Sequence, residues 1–104
     1  MSKSEKPKHY EGLKKNYPEF IQAVESLGLS VLKAGPLEAK TLLLVQLGAA
    51  AAMRSEGSVR SHARRAMAEG ATPEEVAHAL IGLTSTIGFP TVAAALSWVE
   101  KASD

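Results

Sequence analysis

The sequence predicts an all-α fold for this chain of 104 residues. Apolar residues repeat every three to four positions along most of the chain, which is the spacing of amphipathic helices. No segment shows the strict alternation of apolar and polar residues that is typical of a half-buried strand. Glycine and proline divide the helical repeats into about six helices, the first of them short.

The first third of the chain is predicted to hold a tail and two helices. Residues 1–8 are polar and rich in lysine, so we expect a solvated tail before a single helical domain over residues 9–104. A short helix is predicted from His9 to Asn16, and Pro18 suits the first position of the next helix. The apolar side of that second helix carries Phe20, Ile21, Val24, Leu27 and Leu32.

The most apolar segment, residues 37–53, is long enough for a helix of about four to five turns. It is apolar on nearly every side, so such a helix has to be covered all round. A chain of this length has few other elements to cover it. A partner subunit is therefore predicted, and the alternative is the central helix of a monomeric bundle. Gly48 and the alanines after it would let a neighbouring backbone approach closely.

A shorter helix is predicted to follow Gly57 and to end at Gly70, where glycine suits the left-handed position after a helix. Its apolar face carries Val59, Ala63, Ala66 and Met67. On the same helix Ser55, Ser58 and His62 project within roughly 60° of one another. They lie at the edge of the apolar face, so the imidazole is expected to be half-buried.

The last third of the chain is predicted to form two helices. Thr72, Pro73 and Glu75 have the pattern of a capping box with proline at the first helical position. They begin a helix that is predicted to reach about Ile87. Residues 88–90 form a turn, and the final helix is expected to end by residue 102.

All four arginines lie near the serine and histidine positions. Arg65 is nearest to His62 on the helical wheel, whereas Arg60 and Arg64 point away from it. The four residues are Arg54, Arg60, Arg64 and Arg65. Anything chemical that the chain does is therefore expected in residues 54–76.

The composition excludes several kinds of chemistry. The chain has no cysteine, which rules out disulfides, thiolate metal sites and thiol catalysis. His9 and His78 lack metal-ligand spacing with His62, so no metal is predicted. The net charge of +1 gives no signal for nucleic acid or a membrane surface. The longest mainly apolar stretch, residues 42–53, contains Gln46 and is shorter than the ~20 residues of a membrane span, and a cytoplasmic protein is expected.

Four pieces of the chain together resemble the carboxymuconolactone decarboxylase family, which includes the alkylhydroperoxidase D-like proteins. They are the helix KTLLLVQLGAAAA, the run Ser-x-x-Ser-x-x-x-His, the run Ala-x-x-x-Gly-Ala-Thr-x-Glu-Glu-Val, and Gly-Phe-Pro before the last helix. The resemblance covers about residues 36–98. It implies an all-α bundle that assembles with itself through the helices around the motif, as a hexamer or a trimer of dimers.

One departure from the family pattern changes the expected activity. Redox members carry Cys-x-x-Cys-x-x-x-His at this place, and here both cysteine positions are serines, Ser55 and Ser58. The position that matches their relay glutamate is Leu43, which has no proton to give. Because a serine hydroxyl cannot replace a thiolate, thiol-dependent peroxide reduction is not expected.

The resemblance leaves two functions open. Decarboxylating members act on an acidic lactone without a metal or an organic cofactor. By that resemblance His62 would transfer a proton, and Arg65, Ser58 and Ser55 would hold a small anionic molecule. The alternative is a family member without catalytic activity that serves as an oligomeric binding or scaffold protein.

Overall fold

The computed structural model describes residues 8–102, and these residues form helices joined by short connections. Within that range there are six helices of two turns or more and one single-turn helix. Their bounds are α1 (Lys8–Asn16), α2 (Pro18–Lys33), α3 (Ala39–Ala52), α4 (Glu56–Ala68), α5 (Pro73–Ile81), α6 (Thr84–Ile87) and α7 (Phe89–Ala102). No strand occurs in the described range, and the predicted all-α fold is confirmed. Of the predicted tail, residues 1–7 lie outside the described residues, and Lys8 begins α1.

The core lies between α3, α4, α5 and α7, which pack against one another. Half of the residues in the main buried cluster are alanines, so the helices fill the core by approaching closely rather than with large side chains. The cluster consists of Leu43, Leu47, Ala50, Ala51, Val59, Ala63, Ala66, Ala71, Val76, Leu80, Ala95 and Val99. Leu43 belongs to this cluster and is 2% exposed, so it is a core residue.

The predicted helix from Thr72 to Ile87 is wrong in one respect, because it is broken into α5 and α6. The Leu83 N–H bonds the Leu80 carbonyl at 3.0 Å, in the tighter pattern of a 3₁₀ turn. A Cβ added to Gly48 would lie 3.2 Å from Leu83 Cδ1. The break therefore directs Leu83 onto the place where α3 carries glycine.

Helix α3 is less enclosed than its composition suggests. Leu47 and Ala51 are fully buried, but Val45 is 57% exposed. Ala49 and Ala52 are also exposed on this outer face. Among residues 8–102, no helix is both long enough and apolar enough to span a bilayer.

Candidate functional site

The turn that leads into α4 fixes the position of Ser55. Helix α3 ends with backbone bonds from the Arg54 N–H to the Ala51 carbonyl at 2.9 Å and from the Ser55 N–H to the Ala50 carbonyl at 3.1 Å. This pattern usually has glycine in the left-handed position, and here Arg54 occupies it with φ of 57°. Ser55 is also the N-cap of α4, so it is tied to both helices.

Helix α4 places the three polar residues at the edge of its buried face. Its apolar residues pack against α3 and α7, while Ser55, Ser58 and His62 are half-buried beside them, as the sequence predicts. At the other end, the predicted stop at Gly70 is confirmed. Gly70 has φ of 104°, a backbone conformation that is unfavourable for residues with a Cβ atom.

The imidazole of His62 is oriented by its own helix. Its Nδ1 lies 2.8 Å from the backbone carbonyl of Ser58 and 3.2 Å from the Ser58 hydroxyl. A carbonyl oxygen only accepts hydrogen bonds, so we assign the proton of the neutral ring to Nδ1. Nε2 then holds the lone pair and is the ring atom that can take up a proton.

The amino end of α4 offers hydrogen-bond donors next to this imidazole. The hydroxyl of the N-cap Ser55 makes no capping bond to the helix. The first backbone amides of a helix have no acceptor within the helix. In α4 these are the amides of Glu56, Gly57 and Ser58, because the first helical bond runs from the Val59 N–H to the Ser55 carbonyl. Unpaired amides and the positive end of the helix dipole favour an anion.

The arginines do not converge on His62 in the single chain. Arg60 Nη1 lies 3.4 Å from Glu56 Oε2 on the same helix. Arg54 Nη1 donates to Thr91 Oγ1 at 2.8 Å, which links the start of α4 to the start of α7. Arg65 is exposed and forms no ion pair with the other residues of 8–102. It therefore remains available to an anion one turn from His62.

A tyrosine–carboxylate pair lies between α1 and α2, near Arg65. Tyr10 donates a hydrogen bond to Glu25, and this bond raises the pKa of Tyr10 to about 12. The positive charge of Arg65 acts on that pKa in the opposite direction. No sequence signal pointed to this pair, because its members are 15 positions apart and on different helices.

The described residues also form a partly open pocket that the sequence did not reveal. Its volume is about 130 Å³, and it contains none of the four predicted site residues. It is lined by Met67, Pro73, Val76, Ala77, Leu96, Val99 and Glu100. The pocket forms where α4, α5 and α7 meet, and such a meeting of distant residues has no local pattern in the sequence. No cluster of three or more potential metal-ligating side chains occurs among residues 8–102.

The family and the fold are shared with known proteins. A family model described as the carboxymuconolactone decarboxylase family matches residues 18–101. A carboxymuconolactone decarboxylase family protein from Legionella pneumophila, solved in its apo form, superposes with a TM-score of 0.76 at 27% identity. The match covers 92% of this chain and 88% of that protein.

Two uncharacterised proteins of Methanocaldococcus jannaschii are similar in sequence. One is 38% identical over 66 residues, which is 64% of this chain and 62% of the relative. The chain thus spans less than two thirds of that relative's length. The other is 30% identical over 90 residues, which is 86% of each chain.

Proposed function

The chain belongs to the carboxymuconolactone decarboxylase family, and on this basis we propose that it binds a small organic acid beside His62. The imidazole transfers a proton to or from the bound acid, without a thiol, a metal or an organic cofactor. The observation that carries this proposal is the 2.8 Å bond from His62 Nδ1 to the Ser58 carbonyl. It supports proton transfer because it leaves Nε2 as the ring atom that takes up a proton and gives it back.

The acid is held through its carboxylate. The unpaired amides at the start of α4 and the uncapped hydroxyl of Ser55 supply donors. Arg65 adds a guanidinium that can grip two carboxylate oxygens at once. Ser58 has two roles in this proposal. Its carbonyl orients the imidazole, and its hydroxyl, which lies 3.2 Å from Nδ1, helps to hold the acid.

A decarboxylation at this site would need one proton. The bond between the ring carbon and the carboxylate breaks, CO₂ leaves, and the electron pair passes into the neighbouring unsaturated lactone. The carbon skeleton then takes up a proton, which His62 supplies from Nε2 in its charged form. Thiol chemistry has no place in this scheme, since Ser55 and Ser58 stand where redox members carry cysteine.

The site is completed by further copies of the chain. His62 does not line the pocket between α4, α5 and α7, and the outer face of α3 includes Val45, which is 57% exposed. A second copy packed on this face would bury it and provide a wall beside α4. We expect a homo-oligomer, a hexamer or a trimer of dimers.

A thermal-shift experiment with small carboxylic acids and acidic lactones tests the proposal. A ligand at 100 times its Kd stabilises a protein by about 2.7 kcal/mol, so the wild type is expected to melt at higher temperature. His62→Gln should lose this shift, and His78→Gln, a change at an exposed histidine on α5, should keep it. Equal shifts in all three proteins would place the ligand elsewhere and contradict the proposal.

The second candidate is a family member without catalytic activity that acts as a binding or scaffold subunit. Two observations favour it: Leu43, which by the family resemblance matches the relay glutamate, is packed in the core, and His62 does not line the pocket between α4, α5 and α7. Under this alternative no acid or lactone in the panel stabilises the protein, and His62→Gln changes neither ligand response nor assembly.

A further inference from the structure

The pocket between α4, α5 and α7 is built mainly from two helical faces. On each of α5 and α7, three of the lining residues are spaced i, i+3 and i+4, which places them on one face of the helix. Met67 of α4 completes the lining. The two sets are Pro73, Val76 and Ala77 on α5, and Leu96, Val99 and Glu100 on α7. The pocket is therefore a product of helix packing and not of an irregular loop.

The burial of the lining residues shows which end of the pocket is closed. Val76 is 2% exposed and Val99 is 8% exposed, and both belong to the main buried cluster, so they form the floor. Pro73 and Glu100 are exposed, so they lie at the mouth. A ligand in this pocket would have apolar side chains around its inner part and a carboxylate at its outer end.

The α5 wall of the pocket is fixed before any ligand binds. The capping box of Thr72 and Glu75 holds the first turn of α5, and the Val76 N–H bonds the Thr72 carbonyl at 3.0 Å. Pro73 restricts the backbone of the same turn further. Because the wall is already ordered, binding costs little conformational entropy there.

The size of the pocket limits the ligand to a small molecule. Its volume of about 130 Å³ is close to the roughly 150 Å³ of an engineered apolar cavity that binds benzene. Ala77 leaves this space open, because its side chain is a single methyl group. Water is a poor occupant: a buried water needs several polar partners, and Glu100 is the one charged side chain in the lining.

We propose that this pocket binds a small aliphatic amine in its ammonium form. The hydrocarbon part lies against Val76 and Val99, and the ammonium group lies at Glu100. An alkylamine is protonated at neutral pH and has three N–H donors. Glu100 already has an interaction within the protein, but an ionised carboxylate accepts several hydrogen bonds at once.

The proposed amine site is separate from the proposed acid site. An organic acid in the pocket would bring its carboxylate next to that of Glu100, and like charges repel. His62 does not line the pocket, so the amine and the acid have different places on the protein. Neither proposal depends on the other.

Three probes with one hydrocarbon ring and different polar groups test the ligand class. They are cyclopentylamine, cyclopentanol and cyclopentanecarboxylate, titrated into the wild type and followed by methyl ¹H–¹³C spectra. The methyl signals of Val76, Leu96 and Val99 should move with the amine, with the weak Kd expected of so small a ligand. The carboxylate should bind at least roughly tenfold more weakly than the amine. Signals that the amine leaves unmoved, or equal Kd values for amine and carboxylate, would overturn the inference.

Two variants test the place of binding. Ala77→Leu fills the pocket and should abolish the amine-induced shifts, whereas Ala68→Leu adds the same side chain at an exposed position of α4 and should leave the Kd unchanged. Glu100→Gln changes an exposed residue and does not depend on repacking. It should weaken amine binding several-fold and leave cyclopentanol binding unaffected.

Amine-induced shifts that persist in Ala77→Leu would place the ligand elsewhere, and an unchanged amine Kd in Glu100→Gln would remove the carboxylate from the site. Either result contradicts the proposal. His62→Gln should bind the amine as the wild type does, so the amine site can be tested whether or not the acid site exists.

Discussion

Thr72 and Glu75 cap helix α5 by two reciprocal hydrogen bonds. Thr72 Oγ1 accepts from the Glu75 N–H at 3.0 Å, and the Thr72 N–H donates to Glu75 Oε1 at 2.9 Å. The sequence predicted this capping box and the structure confirms it. Because α5 packs on α3 and α7, the cap fixes where a core helix begins.

We expect Thr72→Ala to lower the free energy of unfolding by about 1 kcal/mol, the usual cost of removing a threonine N-cap. The loss arises because the Glu75 N–H no longer has an acceptor from the cap. Urea unfolding followed by circular dichroism measures it. Thr72→Ser keeps a hydroxyl and should retain most of the stability, and a Thr72→Ala protein as stable as the wild type would show that the cap contributes nothing.

The same cap makes stability depend on pH. The bond from the Thr72 amide, together with the charge of Lys40, lowers the pKa of Glu75 from its ordinary 4.5. Since folding favours the ionised form, this contribution is present above pH 4.5 and is lost as the pH falls through the lower pKa of the folded protein.

Melting temperatures from pH 7 to pH 3 measure this effect. The wild type should exceed Glu75→Gln at pH 7, and the difference should shrink as the carboxylate is protonated. Glu74→Gln removes the same charge without touching the cap and should give a smaller difference at pH 7. A Glu75→Gln difference that stays constant down to pH 3 would be inconsistent with this account of the cap.

Arg54 holds a left-handed backbone conformation that costs a residue with a side chain about 1 kcal/mol more than glycine. Arg54→Gly and Arg54→Ala both lose the bond to Thr91. The difference in stability between these two variants therefore measures the cost of the left-handed backbone conformation alone. We expect Arg54→Gly to be the more stable by about 1 kcal/mol in denaturant unfolding. Equal stability of the two variants would mean that the turn relaxes when arginine is removed.

Two of the three positive-φ residues among residues 8–102, Arg54 and Gly70, show what the sequence could and could not predict. Gly70 follows an amphipathic repeat and is glycine, so the end of α4 was predictable. The end of α3 was not predictable in the same way, because Arg54 carries no sign of its backbone conformation. The break between α5 and α6 was missed because the apolar repeat continues through Leu83, although Gly82 stands at the C-cap of α5.

In the candidate site, the sequence could predict only the proximity of residues that are close together in the chain. Ser58 and His62 are one helical turn apart, so their proximity follows from α-helix geometry. Tyr10 and Glu25 meet across two helices, and their contact depends on how α1 folds back onto α2. Exposure was equally hard to predict: Phe20 and Ile21 look alike in the sequence, yet only Ile21 is buried.

The protonation of the His62 ring tests the central proposal most directly. Long-range ¹H–¹⁵N spectra, assigned with His62→Gln, report which ring nitrogen of the neutral imidazole carries the proton. We expect the proton on Nδ1, and we expect the Nε2 signal to move when a stabilising carboxylic acid is added. A proton on Nε2, or an Nε2 signal that such an acid leaves unchanged, would contradict the role of His62 as the proton-transfer group.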